Sequence, residues 1–191
     1  METDTSLKET KEVQSEILFT SEQIQKRINE ICDEIFEYYK KLGVIPVIVG
    51  VLTGGAFFAM EVAKRLYQLG LNCPIRFVST ARYIDNGVAN SVAQIGVLPT
   101  GISGEYILFC EDIIEEGISL QCLYKKTSGM DNPPKSIQIA VVIDKKGHGY
   151  LGFPLDYILF PDVDKEDWLF GFGMDDEGYD RADENIRKKR L

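Results

Sequence analysis

The chain has 191 residues, enough for one domain with a sizeable core. With 45% hydrophobic and 27% charged residues, 17 glycines and 7 prolines, it is composed like a globular protein, which excludes a collagenous or wholly disordered chain. A formal net charge of −9 argues against a nucleic-acid-binding surface, and it requires that any phosphorylated substrate be held by backbone amides, a metal ion or a few well-placed cations.

Residues 1–14 are polar, carry both charge signs and lack the apolar core of a secretory signal; they are expected to be a disordered tail. Residues 17–19 form a short apolar strand. Thr20 then opens a helix, with Gln23 as its capping-box partner. Ile24, Ile28, Ile31, Cys32, Ile35 and Phe36 recur at helical spacing, and Gly43 ends the helix. Residues 44–52 are almost continuously apolar and predict a buried parallel strand. Thr53, Gly54, Gly55 and Ala56 make a tight loop into a helix over 57–69. Residues 74–78 predict another strand. Residues 82–104 lack a steady period and are interrupted by glycines, so they are expected to be a long mobile loop, a feature that is usually functional in a compact domain. Further strands are predicted at 106–110, 136–143 and 156–160, with a loop at 111–117 and a helix at 118–126. An apolar stretch follows at 168–172. The basic run Arg187, Lys188, Lys189 and Arg190 reads as a solvated C-terminus. The expected division is a tail at 1–14, one domain at 15–182 and a charged tail at 183–191.

Strands alternating with helices predict an α/β fold with a mainly parallel sheet. Ligands of such sheets bind beyond the carboxyl ends of the strands, which directs attention to 53–56, 111–119 and 144–146. Cys32, Cys73, Cys110 and Cys122 have no zinc-site spacing and read as free thiols in a reducing cytosol. The single histidine, His148, lies in a glycine-flanked segment expected in solvent, so nucleophilic hydrolase triads are discounted. No P-loop motif and no run of 18 apolar residues occur, so neither a P-loop kinase nor a membrane span is expected.

The most informative segment is YILFC-EDIIEEGISL, residues 106–120. A hydrophobic strand delivers two adjacent carboxylates, Glu111 and Asp112. Glu115, Glu116, Gly117, Ile118 and Ser119 then enter a helix whose free N–H groups, with the Ser119 hydroxyl, suit an anion. Paired acids accept hydrogen bonds from a sugar diol or hold Mg²⁺. Together these describe a ribose 5-phosphate site. The plainer alternative is that the acids only complement the helix dipole, at about 0.3–1 kcal/mol each. It accounts for Glu115 and Glu116 better than for Glu111 and Asp112.

This unit resembles the phosphoribosyl pyrophosphate (PRPP) motif of type I phosphoribosyltransferases, and more narrowly that of the hypoxanthine-guanine phosphoribosyltransferases, including a bacterial branch. The likeness spans residues 17–182. It takes in VGVLTGGAFFA at 49–59, ARY at 81–83, EDIIEEG at 111–117, VIDK at 142–145 and WLFGFGMD at 168–175, with Tyr179, Asp180 and Arg181 beyond. The resemblance implies the type I phosphoribosyltransferase fold, a twisted and mainly parallel sheet flanked by helices, with a small hood and a flexible loop. Glu111 and Asp112 would take the ribose hydroxyls of PRPP, with Mg²⁺ as cofactor. Glu116, Gly117, Ile118 and Ser119 would hold the 5-phosphate, and Glu115 would accept the purine N7 proton. Thr53, Gly54 and Arg181 would meet pyrophosphate. Arg82 and Tyr83 would open the loop that closes over the reaction. Lys145 would donate to the purine 6-oxo group, Trp168 would stack on the ring and Leu169 would offer its backbone to the ring edge. Asp175 would join Glu111 and Asp112 as a metal-binding acid.

The chain departs from the family at three of these positions. Glu115 stands where Asp is usual, Glu116 where many members have Thr, and Thr53 where many have Lys. The implied partners are PRPP, a 6-oxopurine base and a purine nucleoside monophosphate, with no nucleic acid or membrane, in a cytoplasmic homodimer or homotetramer serving purine salvage. A PRPP- or nucleotide-sensing protein with weak or no catalysis, and a phosphoribosyltransferase preferring xanthine, are the competing readings.

Overall fold

The computed structural model describes residues 14–85, 88–147 and 150–190. In chain order the elements are β1 (Ser15–Phe19), α1 (Ser21–Leu42), β2 (Val47–Leu52), α2 (Gly55–Gln68), β3 (Ile75–Asp85), β4 (Val88–Ile95), β5 (Tyr106–Ile114), α3 (Ile118–Ser128), β6 (Ser136–Lys145), β7 (Tyr157–Val163), β8 (Leu169–Phe170) and β9 (Ile186–Lys189).

Six strands form one sheet in the order β4-β3-β2-β5-β6-β7. Every neighbouring pair is parallel except β3 and β4. The apolar strands bury both faces, yet alternate residues still separate. Ile48, Leu108, Cys110, Ala140 and Val142 pack with α1 and α2. Val47, Val49, Ile107, Phe109, Ile139 and Val141 pack with Leu120 and Leu123 of α3 on the opposite face. Full burial of each such side chain contributes about 1.5–3 kcal/mol. The helix α1 starts as its sequence requires: the Gln23 amide donates to Thr20 Oγ1 at 3.3 Å, and the Thr20 amide donates to Gln23 Oε1 at 2.9 Å. It ends on Gly43 in the left-handed region, φ 68°.

The strand order reverses between β2 and β5, since β3 and β4 continue to one side and β6 and β7 to the other. Ligands of open α/β sheets bind at such a switch point. Because β2, β5 and β6 are adjacent and parallel, the segments that follow them emerge at one edge.

Three expectations are corrected. The expected loop from residue 82 begins instead as an antiparallel hairpin, with Arg82 opposite Ala93 and Asp85 opposite Val88. Glu111 and Asp112 lie within β5 rather than in a loop, because its ladder with β6 continues through Glu111↔Val141 and Ile113↔Ile143. The basic C-terminal run is not a free tail: β9 pairs with β1 and β8 in a second, three-stranded sheet. Arg187, Lys188, Lys189 and Arg190 meet Asp183, Asp167, Asp176 and Glu16 respectively. Residues 1–13 and His148 lie outside the described residues.

Candidate active site

The turn after β2, the end of β5 and the segment after β8 meet around Gly54. A Cβ built there would sit 1.5 Å from Asp112 Oδ2 and 3.0 Å from the Gly173 carbonyl oxygen, so the first turn of α2, the acid of β5 and the 171–175 segment touch. Gly173, at φ +99°, meets Gly54 from the other side: its own Cβ would lie 2.4 Å from the Gly54 oxygen. Only glycine allows either approach. The Leu52–Thr53 peptide bond that leads into this turn is cis.

Glu111 is buried and Asp112 partly so. Burial, reinforced by the charge of Asp112, pushes the Glu111 carboxyl well above the usual carboxylate range. Burial also raises Asp112, opposed by its hydrogen bond from Glu111 and by Arg181. The Asp112 backbone amide donates to Glu111 Oε1 at 3.1 Å. Buried and adjacent, the pair is suited to groups that bring donors or positive charge.

Beyond the pair, Glu115, Glu116, Gly117, Ile118 and Ser119 line a cavity of about 130 Å³ together with Glu111. Gly117 caps α3 in the left-handed region, φ 71°, and no side chain caps the helix. Its first amides are thus available to an anion.

Lys145 ends β6 with its side chain only 4% exposed. Its ammonium meets Glu115 Oε1 at 2.5 Å and the Lys165 carbonyl oxygen at 3.4 Å. Trp168, which precedes β8, is half exposed, and its indole Nε1–H donates to Asp176 Oδ1 at 3.0 Å. Leu169, the first residue of β8, is buried. Arg181 joins Asp175 at 2.6 Å and donates to the Gly173 carbonyl oxygen at 2.6 Å, which fixes it against the Gly54 turn. Arg82 and Tyr83 fall in β3.

Residues 14–177 match the family model of the phosphoribosyl transferase domain. The chain belongs to that family. Among curated phosphoribosyltransferases it is 28% identical over 161 residues to the hypoxanthine-guanine enzyme of Dictyostelium discoideum, covering 84% of this chain and 87% of that one. It is 29% identical over 161 residues to the hypoxanthine-guanine-xanthine enzyme of Tritrichomonas foetus, covering 83% and 82%. A solved hypoxanthine phosphoribosyltransferase of Trypanosoma cruzi shares the fold, with a TM-score of 0.83 at 24% identity over 95% of this chain and 94% of that one.

Two features of this phosphoribosyltransferase site escape sequence reasoning. Gly173 lies in the WLFGFGMD block, but its close approach to Gly54 leaves no mark in the sequence. Leu151, whose Cδ2 would lie 2.3 Å from a Cβ on Gly117, comes from a segment without periodicity. Among the described residues no three acids, cysteines or histidines gather closely enough to hold a metal by themselves. A hard cation at this edge would use one or two carboxylates and complete its shell with substrate oxygens and water, as Mg²⁺ does. No described helix is long and apolar enough to cross a membrane.

Proposed function

We propose that the protein is a purine-salvage phosphoribosyltransferase that moves the 5-phosphoribosyl group of PRPP to hypoxanthine or guanine, giving IMP or GMP and pyrophosphate. The observation that carries this reading is the Glu115–Lys145 pair. In a 6-oxopurine, N7 and the 6-oxo oxygen share one edge. An acid and a buried ammonium held together match that edge: Lys145 donates to the oxygen and Glu115 accepts the N7 proton. The two groups satisfy each other until a base displaces them. Adenine offers a 6-amino donor to the same ammonium and is refused.

The cradle at 115–119 takes the 5-phosphate through Gly117, Ile118 and Ser119. Glu111 and Asp112 take the ribose hydroxyls. The Thr53–Gly54 turn and Arg181 take pyrophosphate. In the reaction the C1′–oxygen bond to pyrophosphate breaks ahead of formation of the N9–C1′ bond, and the N7 proton passes to Glu115. Asp112, Glu111 or Asp175 would hold Mg²⁺ together with PRPP, and the ion would supply positive charge at the leaving pyrophosphate. Trp168 stacks on the purine and Leu169 lines its edge. Arg82 and Tyr83 belong to the hairpin that covers the reaction and excludes water. A PRPP sensor would have no use for a base site, so Lys145, Trp168 and Asp175 favour an enzyme. The same reading places it in the cytoplasm as a homodimer or homotetramer.

The test is to incubate the protein with Mg²⁺, PRPP and each of hypoxanthine, guanine, xanthine and adenine, and to separate the nucleotides chromatographically. IMP and GMP without AMP is the expected result, and the xanthine arm decides whether the 2-position is also tolerant. AMP formed as readily as IMP would overturn the assignment of Lys145.

A further inference from the structure

Trp168 leaves half its side chain in water, while Leu169 and Phe170 beside it are buried. A large ring in that position turns about its side-chain bonds unless something fixes it, and a stacking platform that turns binds weakly. Here it is fixed at both ends. The backbone amide of Lys189 donates to the Trp168 carbonyl oxygen at 2.9 Å. The indole Nε1–H donates to Asp176 Oδ1 at 3.0 Å. Asp176 is only 6% exposed, and the Lys189 ammonium reaches both its oxygens, at 2.8 and 3.1 Å. A buried carboxylate needs such a partner. The backbone of Asp176 is itself held by Tyr179 in both directions, at 3.1 and 2.9 Å. Lys188 anchors the residue before Trp168 through Asp167 at 2.5 Å.

We propose that Asp176 and Lys189 are positioning residues that clamp the Trp168 indole in its stacking orientation, so that the C-terminal strand sets the affinity of the purine site. The proposal rests on the purine-site reading above. It gives the basic C-terminal run a specific task, since Lys189 addresses the platform through its backbone and its side chain together. Adjacent acids divide the work: Asp175 holds Arg181, and Asp176 holds Trp168.

Trp168 is the only tryptophan and therefore its own reporter. In the ligand-free protein, Asp176→Ala is expected to lower the fluorescence anisotropy of Trp168 and shift its emission to the red. Asp176→Asn keeps an indole acceptor and should hold most of the wild-type anisotropy. Titration with IMP should quench the wild-type emission, and Asp176→Ala should bind IMP about two- to tenfold more weakly, the range that aromatic stacking supplies. Should the alanine variant not fold, the wild-type protein still decides: its single indole N–H proton resonance should exchange slowly with solvent despite the half-exposed ring. Unchanged anisotropy and IMP affinity in Asp176→Ala, or free exchange of the indole proton, would overturn the clamp. If IMP left wild-type Trp168 emission untouched, the stacking role of Trp168 would fall and the proposal with it. The anisotropy comparison needs no ligand and the titration needs no turnover, so each failure is separable from the other and from loss of catalysis.

Discussion

Glu115 and Lys145 divide the chemistry of the base between them, and their variants should fail differently. Glu115→Gln removes the proton acceptor and keeps the shape, so kcat is expected to fall about 10²- to 10⁴-fold while IMP binding, followed by Trp168 emission, changes little. Lys145→Met removes the donor to the 6-oxo group. It should raise the KM for hypoxanthine and narrow the discrimination against adenine in competition assays. The Glu111–Asp112 pair leads to a prediction about stability. Burial raises the Glu111 carboxyl above its range in the unfolded chain. Its stabilising contribution is therefore complete below the unfolded carboxylate range and is lost as pH rises through the raised value. The ligand-free melting temperature should fall as pH is raised from about 4. Glu111→Gln should lessen that fall and, near pH 8, melt higher by about 2–4 °C for each kcal/mol relieved, while binding PRPP less well in calorimetric titration. Both acids and Lys145 were legible in the sequence because a strand that turns charged at its end is chemically conspicuous. The partnership of Glu115 with Lys145 was not, since 30 residues separate them and only the β5–β6 ladder brings them together.

At the scale of elements, turns fix the site through close approach. Gly54→Ala would drive a methyl group into Asp112, so it should both lower the melting temperature and abolish PRPP-dependent turnover. The three-stranded sheet depends on β9. Ile186 in that strand is fully buried, and Ile186→Ala should cost about 2–5 kcal/mol and also lower the Trp168 anisotropy, because β8 and the Lys189 contacts lean on the same strand. Helix α1 was readable from its caps and periodicity. The β3–β4 hairpin was not, because interrupting glycines and an absent period pointed to a loop. The strand β9 was hidden because a basic run ordinarily seeks water. Here four acids, scattered from Glu16 to Asp183 in sequence, meet it in the fold.

At the scale of the whole molecule, a chain of net charge −9 has to hold a polyphosphate. The fold brings three means of doing so to one edge of the sheet. The amides that open α3 face a small cavity, glycine turns let backbone approach backbone, and Arg181 and Lys145 are held in place by acids. The strand order that assembles them, with its reversal between β2 and β5, is a property of long-range pairing that local pattern does not encode. Alternation of strands and helices was enough to predict the class of fold but not which strands would be neighbours. Burial pushes the thiols of Cys32 and Cys73 up to about 12, which keeps them protonated.

The most direct measurement is the rate of pyrophosphate release from PRPP and Mg²⁺ with and without hypoxanthine, run beside a calorimetric measurement of PRPP binding. Release that depends on hypoxanthine and yields IMP in equal amount is the predicted result. PRPP binding without base-dependent release would contradict the enzymatic account and leave a protein that senses PRPP.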